Sequence, residues 1–258
     1  MSILVNKETR VLIQGITGTQ ASFHVKRSMD YGTQVVAGVT PGKGGTFHLD
    51  VPVFDTVNEA VKETGANASV MYVPARFVKS AVKEAVEAGL ETTVCIADGL
   101  PIKDMLEIKA MLRGSRTRLI GPNTPGIITP GEARLGIFPE NIHTPGRVGV
   151  ISRSSTLTYE AVLETKRAGM GQSTVIGTGF EELLDLFHQD EKTDVIVMIG
   201  QMGGTFEEIG ADFYKNLQHK KPVIGFVAGN AVPFGHKMGY AGDIITNGHI
   251  TVQDKKEA

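Results

Sequence analysis

The chain is poor in cysteine: Cys95 is the one such residue in 258. That excludes an internal disulfide framework and any metal cage built of cysteines alone. Cys95 lies in Thr92-Thr93-Val94-Cys95-Ile96, which reads as a buried strand and makes it a small core side chain rather than a nucleophile. Long apolar runs are missing as well; none reaches the ~18 residues that a membrane span needs. The first residues, Met1-Ser2-Ile3-Leu4-Val5-Asn6-Lys7, lack the basic flank and apolar stretch of a signal peptide. The expected location is the cytoplasm or, for a mature chain, an organelle matrix, with no membrane partner. A basic excess is also absent, since 26 Lys and Arg face 28 Asp and Glu. That balance argues against a nucleic acid partner.

What is abundant is glycine, with 31 residues. The glycines stand at the ends of short apolar segments rather than in a low-complexity run. Strands are read over 11–14, 34–39, 68–73, 92–96 and 118–121. Helical spacing falls between them, over 19–31, 56–64, 75–88 and 102–112. The runs are β-branched and continuous rather than alternating, so both faces of the sheet are buried and the strands are parallel. Five prolines and several glycines then break the rhythm over 122–146. Alternation resumes with strands over 148–152, 173–177, 195–199 and 222–227 and helices over 156–168, 180–188 and 206–217. The reading is two α/β domains: a Rossmann-like unit over 1–122, a linker over 123–146, and a second doubly wound unit over 147–258.

Ligands of such sheets bind beyond the carboxyl ends of the strands. The first loop there is Gly15-Ile16-Thr17-Gly18-Thr19-Gln20-Ala21, a tight turn opening a helix whose free N–H groups suit a phosphate. An NAD site wants an acid about 20 residues on, to hold the ribose hydroxyls. The second strand ends instead in Val39-Thr40-Pro41-Gly42-Lys43-Gly44-Gly45, so Lys43 fits a nucleotide with a phosphate on its ribose, coenzyme A or NADP. Ile96, Ala97 and Asp98, with Asn123 in Gly121-Pro122-Asn123-Thr124-Pro125, border the same edge and suit a pantetheine arm. The second unit opens with Ser152-Arg153-Ser154-Ser155-Thr156, where hydroxyls can cap the helix or hold a phosphate.

Together these segments, with Thr156-Leu157-Thr158-Tyr159-Glu160 and Met198-Ile199-Gly200, resemble the α subunit of succinyl-CoA synthetase over nearly the whole chain. The resemblance implies a CoA-binding Rossmann-like domain followed by a flavodoxin-like ligase domain. It implies a β-type partner, in a heterodimer or heterotetramer, that carries Mg2+ and ATP or GTP. The implied reaction, at home in the tricarboxylic acid cycle, joins a small carboxylic acid to CoA through a phosphorylated histidine. Carried across, Thr17, Gly18, Thr19, Gln20 and Lys43 contact CoA, and Ile96, Ala97 and Asp98 line it. Tyr159 lies near the carboxylate substrate, and Ser154, Ser155 and Thr156 begin a helix that points at the phosphate. No metal site is implied on this chain.

The departures bear on chemistry. The family's phosphorylated histidine stands in Met-Gly-His-Ala-Gly, whereas this chain reads Met238-Gly239-Tyr240-Ala241-Gly242. The family's orienting glutamate is matched by Gln201, its Ser-Arg-Ser-Gly glycine by Ser155, and Ala258 falls short of the family's last elements. A phosphoimidazole leaves from a group with a pKa near ~6.5, a phosphotyrosine from one near ~10, and a neutral phenol is a poor nucleophile at pH 7. Two expectations follow: an acid–CoA ligase α subunit, or a CoA-binding homologue without the phosphohistidine relay. An NADP-dependent oxidoreductase is weaker, since no catalytic motif of that class follows the first loop.

Overall fold

The computed structural model describes residues 2–233, 236 and 251–258. They form two compact units, Leu4–Glu140 and Asn141–Ala258, the latter taking in the first few residues of the chain.

The first unit runs β1 (Arg10–Gln14), α1 (Thr19–Asp30), β2 (Gln34–Val39), β3 (Phe47–His48), β4 (Val51–Phe54), α2 (Val57–Thr64), β5 (Ala68–Met71), α3 (Ala75–Glu87), β6 (Thr92–Cys95), α4 (Ile102–Leu112) and β7 (Arg118–Ile120). The strands lie in the order β3-β4-β2-β1-β5-β6-β7. All neighbours are parallel except the β3–β4 pair. Strands β5 and β6 are buried along their whole length, as continuous apolar runs require when helices cover both faces. Helix α3 buries Val78, Ala81, Val82 and Ala85, spacings of three and four that put one face on the sheet. Helix α2 starts at a capping box in which Thr56 and Glu59 satisfy each other's backbone N–H groups.

The segment over 123–146, expected as a linker, holds the antiparallel hairpin β8 (Gly126–Thr129) and β9 (Ala133–Gly136). The residues of both strands are buried, and the segment belongs to the first unit up to Glu140. The prolines mark the turns around the hairpin: Pro130 and Gly131 make its reversal. Arg134 is buried and gives its donors to the carbonyls of Phe138 and His24 and to Ser28 Oγ. Those last two residues are on α1, so the hairpin covers that helix.

The second unit runs β10 (Pro145–Ser152), α5 (Ser155–Arg167), β11 (Gln172–Gly177), α6 (Glu181–Gln189), β12 (Val195–Gln201), α7 (Phe206–Asn216), β13 (Val223–Ala228) and α8 (Val252–Glu257). Its parallel strands lie in the order β13-β12-β10-β11. In each unit the first strand of the alternation is flanked on one side by the next strand in sequence. A later strand flanks the other side, so the carboxyl ends of β1 and β10 are topological switch points, where doubly wound sheets open a crevice.

Candidate functional site

At the first switch point β1 ends in Gly15, whose φ is +83°. A Cβ there would lie 2.8 Å from the Tyr72 carbonyl oxygen at the end of β5, so only glycine lets the turn pass this close. The turn closes with Gly18 N–H donating to Gly15 O at 3.1 Å, and α1 begins. Gly18 is the N-cap. No side chain caps the helix, and its first turn carries no acid. Gly18, Thr19 and Gln20 are exposed, while Thr17 is half-buried with its hydroxyl 3.4 Å from that of Thr40. The helix therefore presents backbone N–H groups and the positive end of its dipole to the crevice, as an anionic phosphate requires.

Lys43 stands in the exposed strap that leaves β2, and its ammonium forms no ion pair among the described residues. Ile96 and Ala97 are half-buried and Asp98 is exposed, with its carboxylate accepting from Gly99 N–H at 2.6 Å. Asn123, at φ +53°, donates its backbone N–H to Ala97 O at 2.9 Å, which joins the loops after β6 and β7. All nine residues expected to hold CoA thus lie along one edge of the first unit's sheet. Cys95 is buried, and burial pushes its thiol up to about 11, which suits a core residue and not a nucleophile.

The second switch point is built differently. Ser154 is the N-cap of α5, and its hydroxyl accepts from Leu157 N–H. Ser152 Oγ donates to Ser154 O and accepts from Ser154 N–H, so the turn is closed by its own hydroxyls. Ser155 and Tyr159 are half-buried on α5, and Thr156 is exposed. Opposite them, Gln201 ends β12 and is buried. Buried beside it is a residue that sequence patterning does not flag, Glu207 in the first turn of α7. Its carboxylate accepts from Arg153 Nη1 at 2.6 Å, Gln201 N–H at 3.0 Å and Lys255 Nζ at 2.6 Å. Lys255 also donates to Glu208 and to Gly204 O. A Cβ on Gly200 would lie 2.5 Å from Glu207 Cγ, so that glycine makes the space. The Glu207-Glu208 pair at a helix start was the available signal; Lys255 offered none. Tyr240 lies outside the described residues.

Among the described residues no group of three or more His, Cys, Asp or Glu side chains is placed to hold a metal, and no helix is long and apolar enough to cross a membrane.

Two doubly wound units, the first with an open phosphate-facing turn, define a nucleotide-binding α/β protein. Residues 6–99 match the model of the CoA binding domain, and residues 151–258 that of the CoA-ligase family. The succinate–CoA ligase [ADP-forming] subunit alpha of Aquifex aeolicus is 50% identical over 268 residues, covering 100% of this chain and 88% of its own. The same subunit of Staphylococcus epidermidis is 49% identical over 263 residues, covering 99% and 87%. The chain belongs to the succinate–CoA ligase α-subunit family. Among solved structures, ATP citrate lyase from Methanothrix soehngenii, in complex with citrate and coenzyme A, superposes with a TM-score of 0.84 at 21% identity over 99% of this chain and 46% of that one. A dinucleotide-forming acetyl-coenzyme A synthetase from Ca. Korarchaeum cryptofilum gives 0.73 at 20%, over 87% and 51%. At that identity the two structures share the fold with this chain.

Proposed function

We propose that this chain is the CoA-binding α subunit of an acid–CoA ligase. The observation that carries the reading is the uncapped start of α1, held against β5 by Gly15 at the switch point. The diphosphate of CoA lies on the N–H groups of Thr17–Gln20, and Lys43 meets the ribose phosphate. The pantetheine arm follows Ile96, Ala97, Asp98 and Asn123. The residues fit such a ligand, since Gly15 lets the turn pack against the Tyr72 carbonyl and the helix start that follows has no side-chain cap. A β-type chain brings ATP or GTP with Mg2+, and a small carboxylic acid lies near Tyr159, with the phosphoryl group facing Ser154, Ser155 and Thr156. On this reading the protein works in the cytoplasm or, as a mature chain, in an organelle matrix. Titration calorimetry of the chain with CoA tests the reading: saturable one-site binding is expected, and a flat trace overturns it.

A second reading rests on Gln201 and Tyr240, which put an amide and a phenol where the family has a carboxylate and an imidazole. The chain then binds CoA without a phosphohistidine relay. Labelled ATP, Mg2+ and a β-type subunit separate the two. Label on the α chain that succinate removes supports the ligase; an unlabelled chain that still binds CoA supports the second reading.

A further inference from the structure

The strap between β2 and β4 carries Lys43, yet residues 41–47 are all exposed, so apolar burial does not hold it. Hydrogen bonds do. Inside the strap, Thr46 Oγ1 donates to Lys43 O at 2.7 Å, and Gly44 N–H donates to the Asp55 carboxylate at 2.9 Å. Thr40 and Gly45 N–H groups donate to the carbonyls of Phe54 and Val53 on β4. These bonds set its shape and attach it to its own returning strand, and at its base the Thr40 hydroxyl lies 3.4 Å from that of Thr17. The short link to α1 is His48 on β3, whose Nε2 lies 2.7 Å from Ser22 Oγ. Ser22 Oγ is also 2.9 Å from Gly18 O, the carbonyl of the N-cap, and 3.4 Å from Ile16 O. A hydroxyl has one proton to give. With that proton on Gly18 O, His48 donates from Nε2 to Ser22. One serine thus ties the phosphate-facing turn to the lysine strap.

Resting on the CoA reading above, we infer that His48, through Ser22, is the positioning residue that holds Lys43 where a nucleotide's ribose phosphate meets it. His48 then sets the preference of the site for the phosphorylated ribose without touching the turn that takes the diphosphate. Dephospho-CoA, which lacks that phosphate, is the probe that isolates this role.

Calorimetry with CoA and with dephospho-CoA on the wild-type chain, His48→Ala and His48→Gln tests it, with thermal melts reporting the fold. The wild type binds CoA more tightly. His48→Ala loses roughly tenfold in CoA affinity, the scale of one charge-assisted contact, while dephospho-CoA binding holds, so the preference collapses. Glutamine carries a donor that reaches Ser22, and His48→Gln restores the preference. Equal loss for both ligands in His48→Ala, or an unchanged preference, overturns the inference while leaving CoA binding in place. A wild type that binds neither ligand sinks the CoA reading and this one with it.

Discussion

The two switch-point helices are finished in opposite ways. At α1 the N-cap is Gly18, which has no side chain to offer, and the first turn carries no acid. At α5 the N-cap Ser154 satisfies its own helix, and the facing loop is filled by Glu207 between two cations. The same strand order opens a crevice in both units, but the residues decide what remains for a ligand. In the first unit the polar groups are left for something else to bind. In the second, the charges answer each other: Arg153 and Lys255 against Glu207, with Glu208 on the far side of Lys255.

The most severe way to break this contrast is Glu207→Ala. The side chains of Glu207 and Lys255 are 1% and 0% exposed, so the truncation leaves Lys255 buried with Glu208 as its one remaining carboxylate partner and Arg153 without its carboxylate. Removing one partner of a buried pair costs about 3–5 kcal/mol. Urea unfolding is expected to show a loss of that size, with CoA affinity unchanged where the variant is folded. A loss below about 1 kcal/mol would mean that water, not protein, surrounds the network.

Next comes Gly15→Ala in the first unit. The added methyl group meets the Tyr72 carbonyl and the backbone stays at a left-handed φ, a strain of about 1–3 kcal/mol. The expected loss of CoA affinity exceeds tenfold, because the turn must move from β5 to relieve the clash. Unaltered binding would show that the ligand does not approach this turn.

A matched pair then sharpens the difference between the helix starts. Ser154→Ala removes a cap and costs about 1 kcal/mol. Thr19→Glu adds the acid that α1 lacks and stabilises by about 0.3–1 kcal/mol. The same glutamate occupies the place of a phosphate, so stability rises while CoA affinity falls. Thermal melts and calorimetry on one preparation read both signs; a parallel change in the two would break the ligand reading of α1.

The alternation of strands and helices, and the loop from Gly15 to Gln20, were legible because burial on both faces of a parallel sheet writes itself as apolar runs ended by glycine. The strap was less so. Strands β3 and β4 are short, and Pro52 inside β4 reads as a loop signal although it sits beside Phe47 at the sheet's edge, where a missing N–H is tolerated. The hairpin β8–β9 hid behind the prolines that bound it. Of the Glu207 network only the acidic pair at the start of α7 could be read, for another reason: three residues from separate elements share one carboxylate, and no periodicity along the chain encodes a charge met across the fold. His48 and Ser22, 26 residues apart, escape for the same reason.

The smallest expected effect concerns acid, and it distinguishes the first unit again. His24 on α1 lies with its ring parallel to that of Tyr72, centroids 6.1 Å apart, and its Nδ1 has no hydrogen-bond partner among the described residues. Burial, then the Arg134 and Arg27 guanidinium groups, hold it below its ordinary 6.5 despite Glu140. Unfolding frees His24 to take up a proton that the folded unit resists. The unfolded state thus binds more protons below pH 6.5, and stability falls as pH drops through that value. Burial alone would raise the Glu140 carboxyl, but Arg27 and Arg134 outweigh it and hold the group below its usual 4.5. Its contribution is present above that value and is lost only as pH falls further, through its folded pKa. The two groups therefore separate on the pH axis, and His24 responds first. Urea midpoints at pH 7.5 and 5.5 for the wild type and for His24→Gln isolate it: the wild type should lose more between the two than the variant does. Equal losses would show that the helix under the phosphate turn accepts the charge, and that the two arginines beside it do not govern the ring.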